Sequence, residues 1–273
     1  MNPQALINEG RLGDALAALQ GQVRQDPSNA KHRIFLFQLL TVMGQWNRAL
    51  TQLNVVGELD AAALPMVQTY REAIQCEALR DEIFNASRAP LIFGEPQSWL
   101  VQLLEALKFD AAQDADRAAT ARQQAFEQAD AVGGSINGER FQWIADADPR
   151  LGPVLEAVIN GRYFWVPMAR ISRIELDAPV DLRDAVWTPA SFTWSNDAQT
   201  VGLIPTRYSG TLKRNDDALL LSRRTEWDEQ TGNGLGQRMF VTDAGDYPLM
   251  DIRVIEFDAP AASDLAEDEQ QHG

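Results

Sequence analysis

Carboxylates are the residues of this sequence that come closest together in a pattern suited to chemistry. Asp146 and Asp148 stand two positions apart, and Glu139 and Glu156 lie within ten residues of both. Paired carboxylates can bind a hard cation such as Mg²⁺, or can work as a general acid and base. A divalent-metal-dependent hydrolase that uses Asp146 and Asp148 is therefore one functional hypothesis.

The same two aspartates also have a structural explanation. Asp148 precedes Pro149, and we predict a short helix from Pro153 to Ile159 that ends at Asn160-Gly161. An acidic side chain before a helix is stabilised by the positive end of the helix dipole. Arg150 is also close enough in the sequence to form an ion pair with Asp148. This structural role is favoured over catalysis.

Other residue types that carry out catalysis are scarce. The two histidines, His32 and His272, and the single cysteine, Cys76, are far apart in the sequence, so a metal site built on them is not expected. A nucleophilic pair of Cys76 and His32 stays open, although a cysteine in a helical pattern is more typical of a packed apolar residue. The Gly-x-Gly-x-Gly run from Gly232 is interpreted as a hairpin turn, because no helix follows it to hold a phosphate. The leading prediction is a chain without cofactors or catalytic residues.

Arginine and aromatic residues suit a different task, which is contact with another protein. Their positions along predicted helices and strands select candidates for a partner-binding groove, although each candidate also fits a purely structural role. The candidates are Arg33, Phe37 and Gln38 on one helix, Tyr70 and Arg71 on another, and Trp143, Tyr163 and Trp165 in the second half of the chain.

The charge of the chain limits the kind of partner. The 273 residues carry a net charge of −15, and the acidic excess is spread over both halves. No basic block offers contacts to phosphate, so neither nucleic acid nor an anionic membrane is an expected partner. The sequence shows no secretory signal and no apolar run long enough to span a bilayer. These features predict a cytoplasmic protein.

The elements that position these residues begin with helices. Residues 1–131 have the apolar spacing of successive helices, and part of this pattern is repeated at the 34-residue period of tetratricopeptide repeats. We expect the small residues of the repeat to let neighbouring helices approach closely. The repeat consists of Gly10, Ala15, Leu16 and Leu19, which recur as Gly44, Ala49, Leu50 and Leu53.

Proline and capping residues mark the ends of the helices. The segment Asp26-Pro27-Ser28-Asn29 closes the first unit and supplies a cap for a helix predicted from Lys31 to Met43. A later hairpin is predicted from Trp99 to Ala112 and from Asp116 to Ala129, with Pro96 at its first helical position. We expect three or four helical hairpins in total.

From residue 132 onward the pattern changes to short β-rich segments punctuated by glycine and proline. The predicted fold class is α+β, with TPR-like helical-hairpin repeats over residues 1–131 and a mostly β domain with one short helix over 132–259. Residues 260–273 are predicted to be an acidic disordered tail. The predicted strands are Tyr163 to Ile174, Val186 to Trp194, Val201 to Ile204, Arg238 to Thr242 and Met250 to Phe257.

Several longer stretches resemble one known family. They are Phe141-Gln-Trp-Ile-Ala-Asp-Ala-Asp-Pro-Arg-Leu-Gly-Pro-Val-Leu-Glu, Gly161-Arg-Tyr-Phe-Trp-Val-Pro, Asp181-Leu-Arg-Asp-Ala-Val-Trp-Thr-Pro-Ala, Gly202-Leu-Ile-Pro-Thr-Arg-Tyr and Gly234-Leu-Gly-Gln-Arg. These segments are similar to the ImpE family, also called TagJ or SciE. The resemblance covers the chain except for the tail.

This resemblance implies a non-enzymatic cytoplasmic accessory component of bacterial type VI secretion. Members of the family are associated with the small subunit of the contractile sheath through its N-terminal helix. They are thereby linked to the ClpV-type AAA+ ATPase that recycles contracted sheath. The family supplies no catalytic residues to carry over. The metal-dependent hydrolase and a scaffold for another assembly are the alternatives, and the sequence leaves the oligomeric state open.

Overall fold

The computed structural model describes residues 2–259, so the predicted tail and His272 lie outside the described residues. Helices fill the N-terminal part. They are α1 Pro3–Asn8, α2 Leu12–Gln25, α3 Ala30–Val42, α4 Trp46–Leu59, α5 Leu64–Phe84, α6 Ser98–Ala111 and α7 Ala115–Gln128. The predicted helix after Asn29 and the predicted later hairpin are confirmed to within one residue at each end.

The 34-residue repeat places equivalent side chains in equivalent positions. Ala15 in α2 and Ala49 in α4 are fully buried, and Leu19 and Leu53 are buried with them. The first glycine of the repeat has a different role from the one we expected. Gly10 has a φ of +73°, and a Cβ atom there would meet nothing within 4 Å, so backbone conformation rather than close packing requires glycine.

Strands fill the C-terminal part. They are β1 Leu91–Ile92, β2 Gly134–Ile136, β3 Glu139–Phe141, β4 Ile144–Asp146, β5 Val154–Ile159, β6 Arg162–Pro167, β7 Ile171–Leu176, β8 Trp187–Trp194, β9 Gln199–Pro205, β10 Thr225–Trp227, β11 Gly234–Gly236, β12 Met239–Thr242, β13 Asp246–Pro248 and β14 Val254–Phe257. A short helix, α8, spans Asp217–Leu220. Helical hairpins followed by sheet confirm the predicted α+β class.

Within residues 2–259, nine of the strands form one sheet in the order β1-β6-β5-β9-β8-β7-β14-β2-β3. Its neighbouring strands are antiparallel except for β1 and β6, which are parallel. Two smaller sheets, β13-β12-β4 and β10-β11, complete the β structure of the described residues. The Gly-x-Gly-x-Gly run contributes β11 to the β10–β11 hairpin, which agrees with its interpretation as part of a hairpin.

Strand β5 occupies the segment that we predicted as a short helix, so that prediction was wrong. All six residues of β5 are buried, and the strand pairs with β6 on one side and β9 on the other. Val154 and Val158 face the helices, whereas Leu155 and Ile159 face the opposite side of the sheet. A strand that is buried on both faces lacks the alternation of apolar and polar residues that identifies a half-buried strand. For this reason its sequence could be mistaken for a helix.

The other predicted strands lie where expected, but two of them are shorter. The segment Tyr163 to Ile174 is divided into β6 and β7 by a 3₁₀ turn at Met168–Arg170. The segment Met250 to Phe257 begins with another 3₁₀ turn and becomes strand only at Val254. Pro167 ends β6 because it offers no N–H group to continue the strand pairing.

Two residues between α5 and α6 belong to the sheet. Leu91 and Ile92 pair with Phe164 and Trp165 of β6, which draws a segment of the helical half into the sheet. Pro96 therefore does not begin α6. The chain bends after β1 at residues 93–95, where Gly94 has a φ of +82°. The helix starts at Ser98, with Gln97 in an extended conformation before it.

Helices and sheet share one apolar core. A single cluster of buried residues includes Phe37 and Leu53 from the helices together with Val158 and Trp187 from the sheet. The Trp187 ring lies 5.7 Å from the Tyr70 ring between their centroids. A second cluster fills the other side of the sheet. The predicted division between residues 131 and 132 falls in the connection between α7 and β2.

We expect the helical and β parts to unfold in one cooperative transition, because they bury apolar surface against each other. Far-UV circular dichroism, which follows the helices, and tryptophan fluorescence, which follows the sheet more closely, should give coincident urea transitions. Two separated transitions would contradict the shared core and would favour independent domains.

Candidate functional site

The acidic cluster found in the sequence lies inside a buried ion-pair network. Arg238, whose side chain has no solvent exposure, pairs with Asp146 of β4 and with Glu156 of β5. Arg80 of α5 donates two further hydrogen bonds to Glu156. One of them joins Nη2 of Arg80 to Oε2 of Glu156 at 2.9 Å. The network therefore joins the helical layer to the sheet through charged groups.

Neutral hydrogen bonds complete this network. The Tyr163 hydroxyl donates to Glu156, and the Trp165 indole N–H donates to the Tyr163 hydroxyl at 2.9 Å. The Tyr208 hydroxyl donates to Asp146 at 3.0 Å. These bonds matter because a buried carboxylate is strongly destabilising unless its oxygen atoms have donors.

Asp148 is held in the same region by three different groups. Its carboxylate accepts from the Arg150 guanidinium at 2.9 Å and from the Arg150 backbone N–H at 2.9 Å. It also accepts from the Gly234 backbone N–H at 3.0 Å. The predicted pairing of Asp148 with Arg150 is correct, but the predicted helix dipole is absent because the next element is β5.

This geometry does not suit a metal-dependent hydrolase. Every oxygen of Asp146, Asp148 and Glu156 accepts a hydrogen bond or an ion pair from protein groups. Glu139 lies apart from them, exposed on β3. In the part of the chain that the structure describes, no group of three or more His, Cys, Asp or Glu side chains is placed to hold a metal ion.

The two central carboxyl groups are shifted in opposite directions. Burial opposes the ionisation of Glu156, but the charges of Arg80 and Arg238 and their hydrogen bonds outweigh it and lower its pKa to about 2. Burial raises the pKa of Asp146 to about 7, against the attraction of Arg238. Glu156 is therefore the anion that the two arginines stabilise most strongly.

Five of the eight predicted partner-binding residues are core residues. Their burial leaves little side-chain surface for a partner, although Tyr70 also lines a pocket beside β9. Packing explains why four of the five are aromatic. Tyr70 lies between the Phe37 and Trp187 rings, with centroids 5.7 Å from each. The five buried residues are Phe37, Gln38, Tyr70, Tyr163 and Trp165.

The other three predicted residues reach the surface, but at separate places. Arg33 of α3 donates to the Pro27 carbonyl at 2.7 Å and to the Gln52 side chain at 2.9 Å. Arg71 of α5 donates to the Asn54 side chain at 2.8 Å. Both arginines are partly exposed and hydrogen-bonded to neutral groups. Trp143, which is 39% exposed, lies between β3 and β4.

Trp143 borders a cleft with a volume of about 440 Å³ between the end of α7 and β4. We refer to it as the Trp143 cleft. Phe126 of α7, 38% exposed, forms its opposite wall. Four alanines and two prolines leave the space between them open. They are Ala129, Ala131, Ala145, Ala147, Pro149 and Pro153.

The wall formed by Phe126 rests on a specific glycine. Gly152 has a φ of +55°, and a Cβ atom there would lie 2.3 Å from the Phe126 ring. The turn that contains Gly152 is fixed by backbone hydrogen bonds to Asp146 and Asp148. The buried ion-pair network therefore supports the floor of the Trp143 cleft from beneath.

The remaining sequence candidates do not form a catalytic site. His32 lies near the start of α3, and its backbone N–H donates to the Asn29 cap. Cys76 lies in α5, where its thiol donates to the Gly161 carbonyl at 3.5 Å. Burial raises the pKa of Cys76 to about 12, which keeps the group as an unreactive thiol.

The arginines that matter most to this architecture were not predicted from the sequence. Arg80, Arg207 and Arg238 are buried, and Arg207 donates to the carbonyl groups of Thr41 and Val42 at the end of α3. For Arg80 the sequence did hold a clue. It stands on the same face of α5 as the buried residues that precede it at helical spacing, so its burial could have been predicted.

Comparisons with known proteins agree on a single relationship. Residues 138–256 match the model of the ImpE protein family, and residues 6–74 match a tetratricopeptide repeat model. The type VI secretion system accessory component TagJ of Pseudomonas aeruginosa is 55% identical over 258 residues, which cover 94% of this chain and 92% of that protein.

The fold also occurs in a solved structure. The crystal structure of protein VPA1032 from Vibrio parahaemolyticus is similar with a TM-score of 0.84 and 25% sequence identity. The match covers 96% of this chain and 99% of that one. Among the described residues, no helix has both the length and the apolar character needed to cross a membrane.

Replacement of Arg238 should destabilise the fold strongly. Arg238→Met leaves two buried carboxylates without their shared partner, and we expect a loss of about 3–5 kcal/mol in the free energy of unfolding. The matched control is Arg173→Met, because Arg173 pairs with Glu175 and Glu256 at the surface. That variant should lose less than about 1 kcal/mol. Equal losses in urea denaturation would contradict the central role of Arg238.

Acid should destabilise the protein through Glu156. Its pKa is lower in the folded chain than in the unfolded chain, so its stabilisation is complete above about pH 4.5 and is lost as the pH falls toward 2. In that range this group contributes a slope of about 1.4 kcal/mol per pH unit to the free energy of unfolding. Glu156→Gln should show a shallower slope in urea denaturation at each pH, and an unchanged slope would contradict the assignment.

Proposed function

Because the chain belongs to the ImpE family, we propose that it is a non-enzymatic adaptor of a bacterial type VI secretion system. It works in the cytoplasm and binds the N-terminal helix of the small contractile-sheath subunit. Through this contact it is linked to the ClpV-type ATPase that recycles contracted sheath. The proposal therefore assigns the chain a binding role within a larger assembly.

One observation carries the assignment to this secretion system. The similarity to TagJ extends over nearly the full length of both chains, so it includes the helical repeats as well as the β part. A match of that extent supports a shared role more strongly than a shared domain does, since function depends on sites and not on the fold alone.

The chemistry of the described residues supports binding over catalysis. The carboxylates that attracted attention in the sequence have protein partners for all of their oxygen atoms. The single cysteine is buried, and burial raises its pKa. A chain with a rigid interior and accessible arginine and tryptophan side chains is suited to recognition.

Helix-in-groove binding is the recognition mode that fits the proposed partner. In this mode the apolar face of an amphipathic helix enters an apolar groove, and polar groups at the rim fix its orientation. Among the residues predicted from the sequence, Arg33, Arg71 and Trp143 are accessible for such contacts. These three residues are the candidate contacts. Because they lie at separate places, one short helix need not touch all three, and variants of each locate the surface that it binds.

The first experiment is a calorimetric titration of the full chain with a synthetic peptide. The peptide corresponds to the N-terminal helix of the small sheath subunit from the same organism. We expect saturable one-to-one binding. If the helix contacts Arg33 and Arg71, the double variant Arg33→Glu and Arg71→Glu should bind the peptide about 5- to 30-fold more weakly, because charge reversal at a rim costs about 1–2 kcal/mol. Unchanged affinity would remove these two arginines from the contacts.

The matched control is the double variant Arg88→Glu and Arg162→Glu, which reverses two exposed arginines elsewhere. It should retain the wild-type affinity if binding is local to the Arg33 and Arg71 side chains. No binding to the folded wild-type chain would reject the sheath helix as the partner and would make the ATPase the next ligand to test.

A further inference from the structure

The Trp143 cleft combines three properties that are rarely found together on a protein surface. Its walls are the exposed aromatic side chains Trp143 and Phe126, its floor is made of small residues, and its volume is about 440 Å³. Apolar pockets of this size occur at sites that take one or a few apolar side chains of a ligand. Exposed tryptophan is also the residue type that contributes most at protein interfaces.

The cleft is rigid before any ligand arrives. Pro149 and Pro153 restrict the backbone on one side, and Gly152 allows the Phe126 ring to pack directly on the backbone. The Asp146 backbone N–H donates to the Gly152 carbonyl, which closes the turn between them. A preformed site loses less conformational entropy when it binds, so more of its contact energy contributes to affinity.

The rim of the cleft is acidic. Asp130 lines the cleft, is exposed, and forms no ion pair with any residue from 2 to 259. Asp243 lies beside Trp143, since its carboxylate accepts from the backbone N–H of Gln142 at 2.7 Å. No lysine or arginine of the described chain lines the cleft. The nearby Arg140 is already paired with Asp258, at 2.7 Å.

From this combination we infer that the Trp143 cleft binds an amphipathic helix whose apolar side chains enter between Trp143 and Phe126 and whose Lys or Arg side chains pair with Asp130 and Asp243. This inference rests on the proposed function for the helical form of the partner. It adds the location of the anchor and the charge that must flank it. Acidic rims attract cationic segments and repel anionic ones, which gives selectivity as well as affinity.

The test uses the full chain and three peptides of the same length. The first is the N-terminal helix of the small sheath subunit. The second is a designed amphipathic helix with leucine anchors and flanking lysines, and the third replaces those lysines with glutamates. We expect the lysine peptide to bind and the glutamate peptide to bind at least tenfold more weakly at low salt, with the difference reduced at high salt.

Variants of the protein locate the site. Trp143→Ala should weaken binding of both the sheath peptide and the lysine peptide about 30-fold, as expected for a central aromatic anchor. The control is Trp227→Ala, because Trp227 is similarly exposed, at 44%, but contacts Tyr208 away from the cleft. Asp130→Asn should weaken binding about threefold to tenfold, whereas Asp177→Asn, another exposed aspartate, should have no effect.

The outcomes separate this inference from the proposed function. Sheath-peptide binding that is equal in wild type and Trp143→Ala would overturn the cleft assignment and leave the proposed function standing. Binding of the lysine peptide at the cleft, without any binding of the sheath peptide, would support the cleft assignment and reject the proposed partner. Peptide binding that appears only after residues 260–273 are removed, or self-association that Trp143→Ala abolishes, would also overturn the inference by giving the cleft a different occupant.

Discussion

The guanidinium of Arg238 is the charge on which the architecture depends. It has no exposure to solvent and is shared between the carboxylates of Asp146 and Glu156. An isolated buried ion costs several kcal/mol, and this cost is offset only when its partners surround it with good geometry. Arg80 brings a second positive charge from α5 to the same Glu156. The helices, the large sheet and the small β4 sheet must therefore adopt their native positions together.

The same constraint reaches the surface through short connections. Asp146 ends β4, and Asp148 lies in the turn that follows, where Arg150 and Gly234 fix its carboxylate. That turn carries Gly152, on which Phe126 rests. The Trp143 cleft thus gains its shape from charged groups that are buried beneath it. Asp146 and Asp148 form buried ion pairs, and Trp143 borders the cleft at the surface. This arrangement explains why acidic and aromatic residues are mixed in this part of the sequence.

Much of the fold could be predicted from local patterns, whereas the network could not. A helix cap was predicted at Asn29 or Ser28, because capping depends on residues three positions apart, and the cap is Asn29. Arg80 and Arg238 pair with carboxylates that are 76 to 92 residues away in the sequence. Patterns within a few residues cannot predict such pairs. Strand β5 was mistaken for a helix since its two buried faces hide the alternation. Trp143 was among the candidates for partner contact and is 39% exposed. Phe126 was missed because an aromatic residue in a helical stripe is usually core.

The entry of β1 into the sheet has a consequence for synthesis on the ribosome. Leu91 and Ile92 leave the ribosome with the helices, but β6, the strand they pair with, follows about seventy residues later. Glu156, the partner of Arg80, follows it by 76 residues. Arg238, which completes the network, is made on the order of ten seconds after Arg80 at about 5–20 residues per second. During that interval the nascent helices expose the apolar face that the sheet later covers. Chaperones that bind exposed apolar surface therefore have a defined window in which to engage this chain.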